Sequence, residues 1–279
     1  MPKYRLLRER LIDERTVGPD ELIASDPIAL DALLLAHETA YVEAVAYGQL
    51  PDDAVRRLGF PWSEQLVQRS RASVSGTVAA ARTALGEGIA GNLAGGTHHA
   101  FADHGEGYCV FNDHAVAIRL LQLEGLIERA AVVDLDVHQG NGTAAIFAGD
   151  DSVFTFSMHG ARNYPFRKQR SSLDVELPDG CEDEEYLALL SRHLPEVLGA
   201  ARADILFYQG GVDPLAQDSL GRLRLTHAGL RSRDRMVLSA ARDRDLPVVL
   251  TLGGGYAKPV EASVEAHCGT YREAATLFR

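Results

Sequence analysis

Apolar residues recur along this chain at two alternating spacings. Helical spacing with many Ala and Leu predicts a helix over residues 27–45. Ser63 is placed to cap a longer helix that runs to about Leu85, where Gly86 and Gly88 end it. A third helix is expected over residues 113–123. Short apolar runs predict strands over 131–136, 153–157, 205–209 and 247–252. Helical stretches near 184–201 and 226–242 lie among them, the second with Thr226 as its cap. Short apolar strands separated by helices imply βαβ units, hence an α/β fold with a mostly parallel central sheet covered by helices on both faces. In such sheets ligands bind beyond the carboxyl ends of the strands. The polar clusters weighed below fall at those ends.

Composition narrows the class. At 279 residues and 46% hydrophobic content, one large domain with a substantial core is expected. The net charge of −11 argues against direct nucleic-acid binding over a broad surface, while it would tolerate or mildly attract a cationic partner such as a lysine-rich tail. Cys109, Cys181 and Cys268 are few, odd in number and far apart, which fits a reducing compartment. The opening Met1-Pro2-Lys3-Tyr4 shows no apolar signal region, and no spanning segment follows. The expectation is a cytoplasmic enzyme without membrane attachment; oligomeric state is left open.

The chemistry concentrates in Val132-Val133-Asp134-Leu135-Asp136-Val137-His138-Gln139-Gly140-Asn141-Gly142. Asp134, Asp136 and His138 alternate along an apolar run, so strand periodicity starts them on one face. A carboxylate and an imidazole at a strand end are suitable first ligands for a zinc-type ion. An ordinary solvated turn accounts for the Gln, Asn and Gly, but not for two acids still inside the apolar run. Three further clusters contribute: Gly95-Gly96-Thr97-His98-His99 followed by Gly105-Glu106-Gly107-Tyr108-Cys109, then Tyr208-Gln209-Gly210-Gly211-Val212-Asp213-Pro214, then Leu252-Gly253-Gly254-Gly255-Tyr256. Each alone reads as an ordinary loop or turn. Together they hold a His and two carboxylates for a metal, a His pair for proton transfer and a phenol able to donate to an oxyanion. That set suits metal-assisted hydrolysis of an amide.

Gly-Gly-Thr-His-His (95–99), Gly-Tyr-Cys-Val-Phe-Asn-Asp (107–113), Asp-Leu-Asp-Val-His-Gln-Gly-Asn-Gly (134–142), Gly-Val-Asp-Pro (211–214) and Gly-Gly-Gly-Tyr (253–256) resemble the zinc-dependent histone deacetylase family, in its order and at similar separations. The resemblance covers nearly all of the chain from Tyr4 onwards. Gln-Gly-Asn-Gly after His138 is closer to the class IV branch and its bacterial relatives than to class I, which usually has His-Gly-Asp-Gly there. The resemblance implies the three-layer arginase–deacetylase fold, with Asp136, His138 and Asp213 as Zn²⁺ ligands and one coordination position open. It makes His99 the general base, which later protonates the leaving amine. His98, hydrogen-bonded to Asp134, becomes its electrostatic partner, and Asn141 orients His99. Class I has an aspartate at that last position, so His99 should be less basic here. Tyr256 would donate to the oxyanion. Gly107 and Tyr108 would line a channel for the lysine stem, with Tyr164 opposite. Ser157 and Met158, beside the main chain of Asp134, Asp136 and His138, match the family's inner K⁺ site, and Asp134 is not a zinc ligand.

The implied activity is removal of acetyl or longer acyl groups from the side-chain amine of N-acyl-lysine in a protein or peptide. The alternative is an acetylpolyamine or other small acylated amine. An arginase-like ureohydrolase needs more carboxylates for two manganese ions than surround Gly211-Val212-Asp213, and a module that only reads acyl-lysine would be expected to lose a ligand or the phenol. One departure stands out. The segment from Pro2 to Arg8 resembles one that in bacterial relatives follows a first strand and a loop, neither of which is recognisable ahead of it. The expectation is therefore one catalytic domain over 1–279 that lacks this strand and loop, with an altered channel rim and an exposed sheet edge.

Overall fold

The computed structural model describes residues 2–279. Six strands form one sheet: β1 (Ile89–Gly91), β2 (Ala130–Asp134), β3 (Val153–Gly160), β4 (Leu173–Leu177), β5 (Ile205–Gln209) and β6 (Val248–Thr251). Their order is β1-β6-β5-β2-β3-β4, and every pairing is parallel. Parallel neighbours require long crossovers; residues 161–172 join β3 to β4 without a helix, and the remaining crossovers contain helices. The helices are α1 (Lys3–Asp13), α2 (Leu30–Leu33), α3 (Thr39–Ala46), α4 (Asp52–Leu58), α5 (Glu64–Glu87), α6 (Asp113–Leu123), α7 (Asn141–Ile146), α8 (Asp183–Ala201), α9 (His227–Arg242) and α10 (Glu261–Phe278). No helix among the described residues is long and apolar enough to cross a membrane.

Strand periodicity divides the core. Ala131 and Val133 of β2 face one side, with Tyr208 of β5 and the apolar stripes of α1, α8, α9 and α10. Ala130 and Val132 face the other, with Phe207, Val249 and the stripes of α3, α5 and α6. The result is three layers, helices on a sheet on helices. Central β2 is buried along its whole length, and its register sets Asp134 beside Ser157 of β3 and Gln209 of β5. Gln209 pairs in turn with Thr251 of β6, so the carboxyl ends of β2, β5 and β6 are level.

Capping matches the sequence pattern at two helices. Ser63 accepts a hydrogen bond from the amide of Leu66, and Thr226 accepts one from Gly229. The helix expected over 27–45 is instead split between α2 and α3. His37 explains the break: its Nδ1 hydrogen-bonds with the Phe101 carbonyl at 2.8 Å, and its Nε2 accepts from the Asn112 amide at 2.9 Å. The next residue donates its amide to the Ala102 carbonyl. The polar groups at this turn bond to a distant loop rather than to a continuing helix. The strand expected over 131–136 ends at Asp134, so Asp136 and His138 lie on irregular backbone beyond the sheet. Helices α1, α4, α7 and α10 and strands β1 and β4 have no counterpart among the expected elements. Much of α10 is buried, including its polar Ser263, His267 and Thr270, which leaves a weak apolar stripe to read. β1 is three residues long and pairs with β6 alone.

Candidate metal centre

Where β2 ends, side-chain carboxylates take over the bonding of the backbone. Asp134 Oδ1 accepts the Asp136 amide at 3.1 Å, and Asp136 Oδ1 accepts the His138 amide at 3.0 Å. Asp213 reaches in from the loop after β5, its Oδ1 accepting the Val137 amide at 2.8 Å. Asp136 Oδ2 accepts the Gly254 amide at 2.7 Å, from the loop after β6. Three strand ends thus converge on one point. Fully buried Arg233 braces two of them from below, donating to the Gly211 carbonyl at 2.6 Å and the Leu135 carbonyl at 3.2 Å.

Asp136, His138 and Asp213 each present a ligand atom, all within 4.8 Å of one another and all buried. His138 Nδ1 lies 2.9 Å from Asp136 Oδ1 and 3.0 Å from Asp213 Oδ2. Asp213 Oδ2 is buried and accepts no conventional hydrogen bond. Burial and the neighbouring Asp136 raise the Asp213 carboxyl's pKa, while burial opposes charge on His138 but the two aspartates lift it to about 10. Two buried carboxylates facing one imidazole demand positive charge at this point. Two oxygens and one nitrogen also form a three-ligand set of the kind that leaves zinc an open position, so the residues fit a divalent zinc-type ion. The glycines complete the fit. A Cβ on Gly211 would collide with the Asp136 carboxylate, and one on Gly254 with that of Asp213. Asp134 belongs to a different contact, as its Oδ2 lies 2.6 Å from His98 Nδ1.

The two histidines stand on a loop held by buried Asp113, which accepts the amides of Gly96 and Thr97 and the hydroxyls of Thr97 and Thr77. Gly96 has φ +76°, and a Cβ there would strike Gln209, so this turn requires glycine. His99 Nδ1 lies 2.7 Å from Asn141 Oδ1, and Asn141 Nδ2 donates to Glu106 Oε1 at 2.6 Å. Glu106 accepts, so the amide must turn its nitrogen to Glu106 and its oxygen to His99. The proton of His99 then resides on Nδ1 and leaves the Nε2 lone pair free. Burial opposes charge on His98, but Asp134 and Asp136 overcome it and raise its pKa to about 9. Burial, reinforced by His98 and His138, holds His99 well below the ordinary imidazole value. The two neighbouring histidines are thus pushed in opposite directions.

Tyr256 follows the Gly253-Gly254-Gly255 turn, its amide bonded to Asp218 Oδ2 at 2.6 Å. Burial, Asp213 and Asp136 push its phenol well above the usual range, so it keeps its proton to donate. Lys3 Nζ donates to the Gly253 carbonyl at 3.1 Å and the Gly255 carbonyl at 3.4 Å, under the tyrosine ring. Gly107 packs against His99 and Tyr164, and the Tyr164 ring meets the His99 ring edge-on at 5.0 Å. Tyr108 is half-exposed, with φ +67°. With Tyr256 these residues border a cavity of about 380 Å³ that opens above His99 and His138. A larger, mainly apolar cavity of about 1060 Å³ extends from the same histidines past α5 and α10 to the unpaired edge of β1 and to exposed Ile23. Ser157 and Met158 are buried on β3 behind Asp134, with Ser157 Oγ 2.9 Å from His159 Nδ1.

Every expected site residue therefore lies at or directly behind this centre. Lys3, Glu106, Asp113, Asp218 and Arg233 were not singled out by the sequence. Glu106 and Asp113 stood inside quoted motifs and were open to notice. Lys3 carried no local signal, since its partners are about 250 positions away.

The histone deacetylase domain profile matches residues 2–271. An uncharacterized protein of Picosynechococcus sp. is 45% identical over 278 residues, spanning all of this chain and 93% of that one. Histone deacetylase 2 of Arabidopsis thaliana is 36% identical over 191 residues, 67% of this chain and 49% of its own length. The crystal structure of an HDAC homolog from Aquifex aeolicus superposes with a TM-score of 0.82 at 26% identity, covering 97% of this chain and 77% of that one. With nearly its whole length matched and a zinc-type ligand set assembled at its strand ends, the chain belongs to the histone deacetylase family of zinc-dependent hydrolases and has the arginase–deacetylase fold.

Proposed function

We propose that this protein is a cytoplasmic, bacterial, class IV-like amidohydrolase that removes acyl groups from the side-chain amine of N-acyl-lysine in proteins or peptides. The observation that carries the reading is the histidine pair beside the metal ligands: His98 Nδ1 against the Asp134 carboxylate, and His99 Nδ1 against the Asn141 amide oxygen, with Nε2 free. Zn²⁺ held by Asp136, His138 and Asp213 would supply Lewis-acid polarisation of the amide carbonyl and the attacking water. His99 Nε2 takes the proton from that water and passes it to the departing amine. His98 stays charged throughout and favours the negative charge that builds at the carbonyl. The Tyr256 hydroxyl donates to that oxyanion. Gly107 and Tyr108, facing Tyr164, confine the lysine stem so that the amide arrives end-on. A K⁺ ion is proposed among the main chains of Asp134, Asp136 and His138 and residues Ser157 and Met158. The carbonyls of buried Asp136 and His138 accept no backbone amide, which supports this placement.

The test is release of free amine from acetyl-, propionyl-, octanoyl- and myristoyl-lysine peptides, with and without a zinc chelator and a hydroxamate. Chelator-sensitive turnover is expected, and the best chain length measures the pocket. Turnover of acetylspermidine with none on the peptides would replace the protein substrate by a polyamine.

A further inference from the structure

The mouth of the channel carries charge of the opposite sign to the chain. The protein has 39 acidic against 28 basic residues, yet the cavity above His99, His138 and Tyr256 is bordered by Arg56, Arg57, Arg162 and Arg222 and by no described Asp or Glu. Three separate parts of the fold bring them there. Arg56 and Arg57 end α4, Arg162 follows β3, and Arg222 lies between β5 and α9. All four are exposed. Their own carboxylate partners are too few to neutralise them. Asp53 lies 3.7 Å from Arg57, and Asp179 is shared, 3.2 Å from Arg222 and 3.9 Å from Arg162. No carboxylate among the described residues pairs with Arg56 within 4.0 Å, which leaves four guanidinium groups facing two carboxylates. Exposed Phe166 and Leu220 stand between the arginines and complete an amphipathic rim.

Fields near a cleft act on whatever enters it, and rim charges set encounter and selectivity more than they set stability. We infer that the arginine rim selects its substrate by charge: the acyl-lysine it receives is flanked by aspartate or glutamate, and cationic amides such as acetylpolyamines or lysine-rich tails are disfavoured. The inference rests on the deacylase reading and reverses what the overall charge of −11 suggests, because the local field at the mouth opposes the average. A guanidinium fork suits a peptide carboxylate bidentately, and the half-exposed Tyr108 and exposed Phe166 offer apolar surface to the residues between.

The experiment compares three labelled acetyl-lysine peptides, with Glu/Asp, Ser/Gly or Lys/Arg flanks, together with acetylspermidine, on the zinc-loaded protein. Both kcat/KM and affinity by fluorescence anisotropy are read. At low salt the acidic peptide should exceed the neutral one by about fivefold to tenfold, with the basic peptide weakest, and about 0.5 M salt should flatten the order. The pair Arg56→Glu and Arg162→Glu should invert the acidic-to-basic ratio. The milder pair Arg56→Ser and Arg222→Ser should only level it. Arg192→Glu with Arg244→Glu, which makes the same change in net charge away from the mouth, should leave the ratio unchanged. Equal affinities at low salt, a preference for the basic peptide or acetylspermidine, or a ratio indifferent to the mouth variants would overturn the inference. Charge-selective binding without turnover would keep it and sink the deacylase reading, whereas chelator-sensitive turnover without charge dependence would do the reverse.

Discussion

His98 and His99 share a backbone and a degree of burial, yet their neighbours push their basicity in opposite directions. One faces the Asp134 carboxylate, the other a neutral amide that is itself oriented by Glu106. A base must be unprotonated to act, so the amide partner lets His99 work to lower pH than a carboxylate partner would. Asn141→Asp, combined with Glu106→Gln to keep a donor on the second oxygen, should raise the pKa of His99. The acid limb of kcat/KM then moves to higher pH by about one unit with the alkaline plateau kept, which a pH–rate profile reads directly. An unmoved limb would mean that His99 is not the titrating base. Loss of the phenol in Tyr256→Phe removes one oxyanion donor and should lower kcat by about 10²- to 10³-fold. His99→Ala should abolish turnover. Zinc content by mass spectrometry should stay near one equivalent in both variants, since neither side chain is among the three ligands.

At the scale of elements, three parallel strands end level with one another, and the loops that follow them are tied together by backbone amides donating to ligand carboxylates. This geometry depends on backbone coming closer than a side chain allows. Gly254→Ala introduces a methyl group against the Asp213 carboxylate while the amide of the same residue is bonded to Asp136. The variant should fold, because the layers that form the core are untouched, but bind zinc at least about tenfold more weakly by competitive chelator titration. Unchanged affinity would show that the loop after β6 shifts without disturbing the ligands. The N-terminal helix contributes to the same centre from the opposite end of the chain. Arg272 of α10 joins Glu14 beyond α1 at 2.8 Å, while Lys3 on the first turn of α1 ties down the turn that carries Tyr256.

Over the whole molecule, folding gathers two carboxylates and several histidines in a buried volume, which an ion then relieves. Anything that binds the folded state alone stabilises it by mass action, so zinc at about 100 times its Kd should add roughly 2.7 kcal/mol. For a domain of this length that corresponds to a rise in Tm of about 5 °C or more, increasing with zinc concentration. Calorimetry with and without chelator measures it, and the rise should vanish in Asp213→Asn. A zinc-independent Tm would contradict binding at this triad.

Local order along the chain determined a good deal by itself. The short apolar runs located the central strands, Ser63 and Thr226 marked two helix starts, and Asp134, Asp136 and His138 announced a metal-binding strand end. Such features depend on neighbours a few residues apart, and spacing and capping record those directly. Alone, the Gly-Val-Asp-Pro turn was unremarkable, and Asp213 joined the triad only because β5 lies beside β2 in register. Tertiary structure also decided the break at His37, the seating of Lys3 under the Tyr256 turn and the tautomer of His99 through Asn141 and Glu106. The sign of charge at the channel mouth was decided there too, since composition averages over a surface that folding sorts into patches. Each of these depends on desolvation and on contacts between residues tens to hundreds of positions apart, which exist only once the sheet has brought its strand ends together.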